Sequence, residues 1–152
     1  MKTLGNVGDK REMDERLGKL RAGAPGRSGR MSAAQMVCHL SDAFRGPMGE
    51  KPLARAEGPY PRTLMKWGAL YLPLRWPHGL RTMPEMDQEI GGTKPAEFED
   101  DVRELRRLLE RFTREPRAFV WTPHPFFLDM TDWEWMRWGY LHMDHHFRQF
   151  GV

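Results

Sequence analysis

The chain has 152 residues, 39% of them apolar and 30% charged, and 24 Lys and Arg against 21 Asp and Glu leave a formal charge of +3. That length suits a single domain over residues 1–152 with a sizeable core of its own. Cys38 is the one cysteine, which excludes an intrachain disulfide and a cysteine-built zinc site.

The slight basic excess invites a nucleic-acid reading, and the distribution of charge argues against it. In EFEDDVRELRRLLERFTREPR the acids lead and the arginines follow, the order a helix macrodipole favours, so the stretch reads as a solvated helix face. The first residues, MKTLGNVGDKREMDERL, hold no apolar run of the kind a secretory signal needs. The greasiest stretch, LMKWGALYLPLRW, is interrupted by Lys66, Pro73 and Arg75 and is too short to span a bilayer. A cytoplasmic protein with no membrane or nucleic-acid partner is therefore expected.

In chain order, Met13, Leu17 and Leu20 recur at helical spacing and predict a modest first helix over 9–22. The connector RAGAPGRSGR follows. Ser32 and Gln35 then have the form of a capping box, with Met31 and Met36 placed as a hydrophobic staple across it. The helix they open should run to Arg45 and stop before Gly46 and Pro47. Residues 48–95 carry Pro52, Pro59, Pro61, Pro73, Pro77, Pro84 and Pro95, so loops are expected there around one short helix near 62–72. His78 falls in one of these loops. Phe98, Val102, Leu105, Leu109 and Phe112 mark the clearest amphipathic helix, ending near Arg114. A second capping box, Thr131 with Glu134, opens a last helix that should run almost to the end, with Met130 and Trp135 as its staple. Four or five helices and no convincing strand predict an all-α bundle.

Three of the six histidines, His142, His145 and His146, lie on this last helix. His142 and His146 are one turn apart, about 40° around the axis, which lets two imidazoles converge on one ion. Their stripe also carries Thr131, Trp135, Trp138 and Gln149, and the two tryptophans say that this face is buried. His145 flanks the stripe and is open to three roles: a ligand, a neighbour behind the ligands, or an exposed residue. A tight site needs a third ligand, and His39, on the apolar face of the Ser32 helix, is the best candidate. Histidines on two packed helices are how metal sites are built in bundle interiors. The same pattern is also what hydrogen-bonded core histidines present. His124, between Pro123 and Pro125, reads as a turn residue that can reach the rim of the site. Asp42 lies one turn past His39 and is either a general base or an exposed helix acid.

The segments MSAAQMVCHLSDAF and HMDHHFRQ carry a resemblance beyond spacing. The first resembles the second-helix signature of the DinB/YfiT-like metalloenzyme superfamily. The second is similar to that superfamily's last-helix signature: His, three residues, His, then Gln three further on. HPFF followed by MTDWEWMRWGYLHMDHHFRQFG resembles in particular an uncharacterised branch of the group. The match is strongest over 31–45 and 119–151 and weak over 48–95. It implies a four-helix bundle, to which the prolines of 48–95 add a short helix and a long Pro-rich connection. It also implies one divalent transition metal (zinc, nickel or iron) held by His39, His142 and His146, with Gln149 beside them.

What the resemblance implies about activity is a thiol-dependent transferase or isomerase that uses a low-molecular-weight thiol. With the chemistry open to such a site, the expectation is a metal-dependent transferase or hydrolase acting on a small molecule. The competing reading is a non-catalytic, stress-associated metal-binding protein, dimeric through an apolar helix face. Two departures stand out: the doubled His145-His146, and Phe147-Arg148 where many members have Arg-Gly. Trp135, Trp138, Phe126 and Phe127 are candidates to wall a pocket over the ion, and equally to be core residues. The absence of an obvious base near the histidines favours direct activation of a thiol or water by the metal.

Overall fold

The computed structural model describes residues 1–58, 62–77, 79 and 82–152; Pro59, Pro61 and His78 lie outside the described residues. It is all-helical, with α1 (Val7–Lys19), α2 (Ala33–Arg45), α3 (Arg62–Tyr71), a 3-10 turn (Pro84–Met86), α4 (Phe98–Thr113) and α5 (Asp132–Gln149). Among the described residues there is no strand, and the one β-bridge pairs His124 with Leu128. No helix is long and apolar enough to cross a membrane among the described residues.

The two capping boxes form in full. The Ser32 hydroxyl accepts from Gln35 N at 3.2 Å while Gln35 Oε1 accepts from Ser32 N at 2.8 Å. Thr131 and Glu134 repeat the exchange at 3.2 and 2.8 Å. Each box satisfies two orphan N–H groups and fixes where its helix starts, and so which residues face inward. The first helix begins earlier than the apolar spacing predicts. Asn6 caps it, its side-chain oxygen accepting from Gly8 N and Asp9 N, and Leu20 falls just past its end as the C-cap.

The core is built from α2, α4 and α5 with α1 laid against α5. On α4 the buried residues are Val102, Leu105, Leu108, Leu109 and Phe112; Leu108 widens the stripe expected from spacing, and Phe98 sits at its edge. Gly139 is where α5 comes closest to its neighbours. A Cβ there would stand 2.7 Å from Leu4 Cδ1 and 3.3 Å from the rings of Phe44 and Phe112. The N-terminal segment is bonded to α5 through Leu4 N to Met136 O at 3.0 Å and Arg137 Nη1 to Lys2 O at 2.8 Å.

The Pro-rich connection is pinned to α2 by Asp42, whose side chain is fully buried. Asp42 is therefore not the exposed helix acid that its position allowed. Its carboxylate accepts from Thr93 N at 2.7 Å, Thr93 Oγ1 at 2.6 Å and Lys51 Nζ at 3.0 Å. Both oxygens are engaged in holding the two ends of the connection against the helix. Removing one partner of a buried charge network leaves the others unpaired. Asp42→Ala is accordingly expected to lower unfolding free energy by about 2–4 kcal/mol in urea titrations, and a loss under about 1 kcal/mol would contradict this role.

Candidate metal centre

The two capping boxes set the register of the helices that bring the histidines together. α5 presents His142 and His146 one turn apart, and α2, packed across it, presents His39. The Nε2 atoms of His39 and His142 are 3.2 Å apart, and those of His142 and His146 are 3.1 Å apart. One ring nitrogen from each of the three residues lies within 4.8 Å of the others. The rings meet edge-on or tilted, with centroids 4.7–5.2 Å apart.

The outer ring nitrogens decide what the inner ones can do. His39 Nδ1 is 3.0 Å from the Met86 carbonyl, which only accepts, so His39 carries its proton on Nδ1. His146 Nδ1 donates in the same way to Gln149 Oε1 at 3.0 Å, and the amide nitrogen of Gln149 donates to His145 Nε2 at 3.2 Å. His39 and His146 therefore both turn a bare Nε2 lone pair toward His142 Nε2. A proton on that atom serves only one of the two neighbours and leaves the other lone pair against a nitrogen. A cation satisfies all three at once. Imidazole ligands about 2.0–2.1 Å from an ion lie about 3.3–3.4 Å apart around a tetrahedral centre and about 2.9 Å apart around an octahedral one, and the His39–His142 and His142–His146 spacings fall between. A histidine ligand with its far N–H held by a carbonyl is the usual outer shell of such sites. The donor set and its spacing thus fit a divalent transition metal. His142 Nδ1 has no hydrogen-bond partner among the described residues.

His39 and His146 are buried, and His142 is half-buried. Burial pushes the pKa of His39 below the ordinary imidazole value, against the pull of Met86 O, Asp42 and Asp87. His142 and His146 are held well below it, by burial first and then by neighbouring imidazoles, His146 and His39 for His142, and His39 and His145 for His146. The triad is neutral at neutral pH, which is the form that binds metal. Cys38, the neighbour of His39, is taken out of this chemistry, because burial and Asp101 push its thiol up to about 12.

His142 also lines a cavity of about 660 Å³. The walls are Trp76, Trp135, Trp138, Phe126, Phe127 and Met86, with others of the same character. His124 stands in this wall, 9% exposed, stacked on Phe127 at 4.5 Å between centroids and edge-on to Trp138 at 5.6 Å. Its Nδ1 accepts from Phe126 N at 3.1 Å and Phe127 N at 3.2 Å, closing the Pro-flanked turn. Burial holds its pKa at about 3.

Of the residues picked out from sequence, His39, His142 and His146 converge, Gln149 stands directly behind His146, and Trp138 flanks His142 at 4.9 Å between centroids. His145 is buried and turned to Gln149, with its ring 5.1 Å from that of His146. Asp42 points to Thr93 and Lys51. Two contributors were not picked out. The Met86 carbonyl is a backbone group on a 3-10 turn and carries no residue-type signal. Trp76, whose ring is 5.9 Å from that of His142, lies in a Pro-rich loop with no periodicity to orient it.

A scan against protein-family models, a search of curated proteins and a search of solved structures each find no match to the chain.

Two outcomes follow from this geometry. Gln149→Ala removes the acceptor that orients His146 and is expected to weaken zinc binding about 10- to 100-fold in competition with a chromophoric chelator; unchanged affinity would contradict the orienting role. His124 stays neutral in the fold but takes a proton near pH 6.5 once unfolded. Stability is thus lost as pH falls through that value, down to the folded value. In metal-free protein taken from pH 7.5 to 5, His124→Asn should abolish about 1–2 kcal/mol of the acid-induced loss, read from urea titrations at the two pH values. Equal losses in both proteins would contradict it.

Proposed function

We propose that the chain is a DinB/YfiT-like four-helix-bundle metalloprotein, with α1, α2, α4 and α5 as the bundle and α3 as the additional short helix. In this reading His39, His142 and His146 hold one divalent ion, zinc, nickel or iron. The protein acts as a metal-dependent transferase or hydrolase on a small molecule, with a low-molecular-weight thiol as partner, in the cytoplasm. The observation that carries the reading is the meeting of three Nε2 atoms from two helices, two of them stripped of their protons by outer partners, at the end of an apolar cavity.

A bound ion of this kind acts as a Lewis acid, lowering the pKa of a bound water toward about 7 or holding a thiolate. The chain's own residues supply the surroundings. Met86 O and Gln149 keep two rings in the ligating tautomer. His142 joins the triad to the cavity, and Trp76 and Trp138 shield its ring from water. No Asp or Glu lines the cavity. Asp42 is occupied, and Glu134 is committed to its capping box and to Lys66 at 3.1 Å. Among the described residues no carboxylate lines the cavity as a general base, which favours activation of the nucleophile by the ion itself.

A non-catalytic metal protein would close the ion with a fourth protein ligand. The two candidates for that role are turned elsewhere: His145 to Gln149, and His124 into the cavity wall. That arrangement favours the catalytic reading over the structural one.

Metal analysis of the purified protein tests the proposal. About one equivalent per chain is expected, lost in both His39→Ala and His142→Ala, which ties two distant helices to one ion. No retained metal after exposure to zinc, nickel and iron would overturn it.

A further inference from the structure

The cavity that ends on His142 has a chemistry of its own. Its volume of about 660 Å³ lies within the range of small-molecule sites. Its lining is nearly all aromatic, thioether, proline and aliphatic. Among the described residues the one charged side chain on it, Arg75, is exposed. Thr122, the one hydroxyl-bearing residue among those described there, already donates to Gly46 O at 2.8 Å. A ligand rich in hydroxyls would lose its hydration to walls that cannot replace it, and unpaired polar groups are costly to bury.

His124 is the exception. Two backbone N–H groups fill its Nδ1, so its ring proton sits on Nε2. No described group accepts that proton. The ring is held from three sides, by Phe127, Trp135 and Trp138, and Trp138 in turn packs on His142. The result is a fixed neutral N–H donor on a residue of this mostly apolar lining, one tryptophan away from the metal centre. A rigid donor of this kind discriminates strongly between a ligand that can accept its hydrogen bond and one that cannot.

We propose that the substrate bound here is an apolar, aromatic small molecule carrying a carbonyl oxygen, and that His124 Nε2–H receives this oxygen and orients the molecule toward His142. This rests on reading the cavity as the substrate side of the metal centre. His124 is a binding and orienting residue; it moves no proton.

Two probes of nearly the same shape separate the contributions: acetophenone, which has the carbonyl, and ethylbenzene, which lacks it. Their dissociation constants are measured by titration calorimetry on zinc-loaded and zinc-free protein, for wild type, His124→Asn and His124→Gln. Asn keeps an acceptor close to where Nδ1 closes the turn and loses the donor. Gln keeps a donor close to Nε2 and loses the turn acceptor. The preference for acetophenone over ethylbenzene is expected to fall about five-fold in His124→Asn and to persist in His124→Gln, with or without zinc.

The same preference in all three proteins, or no binding of either probe to wild type, would overturn the proposal. So would a preference present only with zinc and unaffected by Asn, which would assign the carbonyl to the metal. Loss in His124→Gln with retention in His124→Asn would overturn it too, since that is what a purely turn-closing role predicts. Zinc content measured on the same samples keeps the two readings apart. A His124-dependent preference in protein that retains no metal removes the metal centre alone. Full metal with no such preference removes this proposal alone.

Discussion

Three imidazole nitrogens crowded at the α2–α5 interface are the constraint to which the surrounding structure answers. Nε2 spacings of 3.2 and 3.1 Å put lone pairs together where one proton cannot satisfy them all. Burial opposes relief by ionisation, because desolvation disfavours charging His142 and His146 and neighbouring imidazoles add to it. What remains is a site whose unmet demand is for a cation. Hydrogen bonds from His39 to Met86 and from His146 to Gln149 sharpen that demand, since each fixes a proton on the side away from the centre.

The rest of the fold keeps those nitrogens in place. Capping boxes at Ser32 and Thr131 set the helical phase of His39 and of His142 with His146. Gly139 lets α5 approach Leu4 and the ring pair Phe44 and Phe112 where a Cβ would collide. The Pro-rich connection is part of the site. Asp42 anchors it at Thr93 and Lys51, and that anchorage carries the 3-10 turn whose Met86 carbonyl orients His39. A loop segment with little regular structure therefore controls the tautomer of a helix residue.

The helices and the pairing of His142 with His146 were legible in the sequence because both depend on local spacing, whereas His39 was reached from its apolar helix face and the resemblance. Ser32 with Gln35, and Thr131 with Glu134, announce helix starts. The i, i+4 placement of His142 and His146 follows from 3.6 residues per turn. Leu108, which joins the α4 core, was missed because it fills a gap in the periodic stripe. Asp42 was open to an exposed reading because burial of a charge depends on partners 9 and 51 residues away. Choosing between His145 and His146 required tertiary structure: both are buried, and only the direction of each ring, set by Gln149, separates them. Met86 O carries no sequence signal, since a backbone carbonyl looks the same at every residue.

The number of imidazoles around one ion is the deciding quantity. The zinc K-edge X-ray absorption spectrum of zinc-loaded protein counts them directly. It should show three imidazole nitrogens about 2.0–2.1 Å from the metal and one further light-atom ligand, the latter replaced by sulfur at about 2.3 Å when a small thiol is added. Four imidazoles, which would recruit His145 or His124 and close the ion, would contradict it. So would a shell of water oxygens with fewer than three nitrogens.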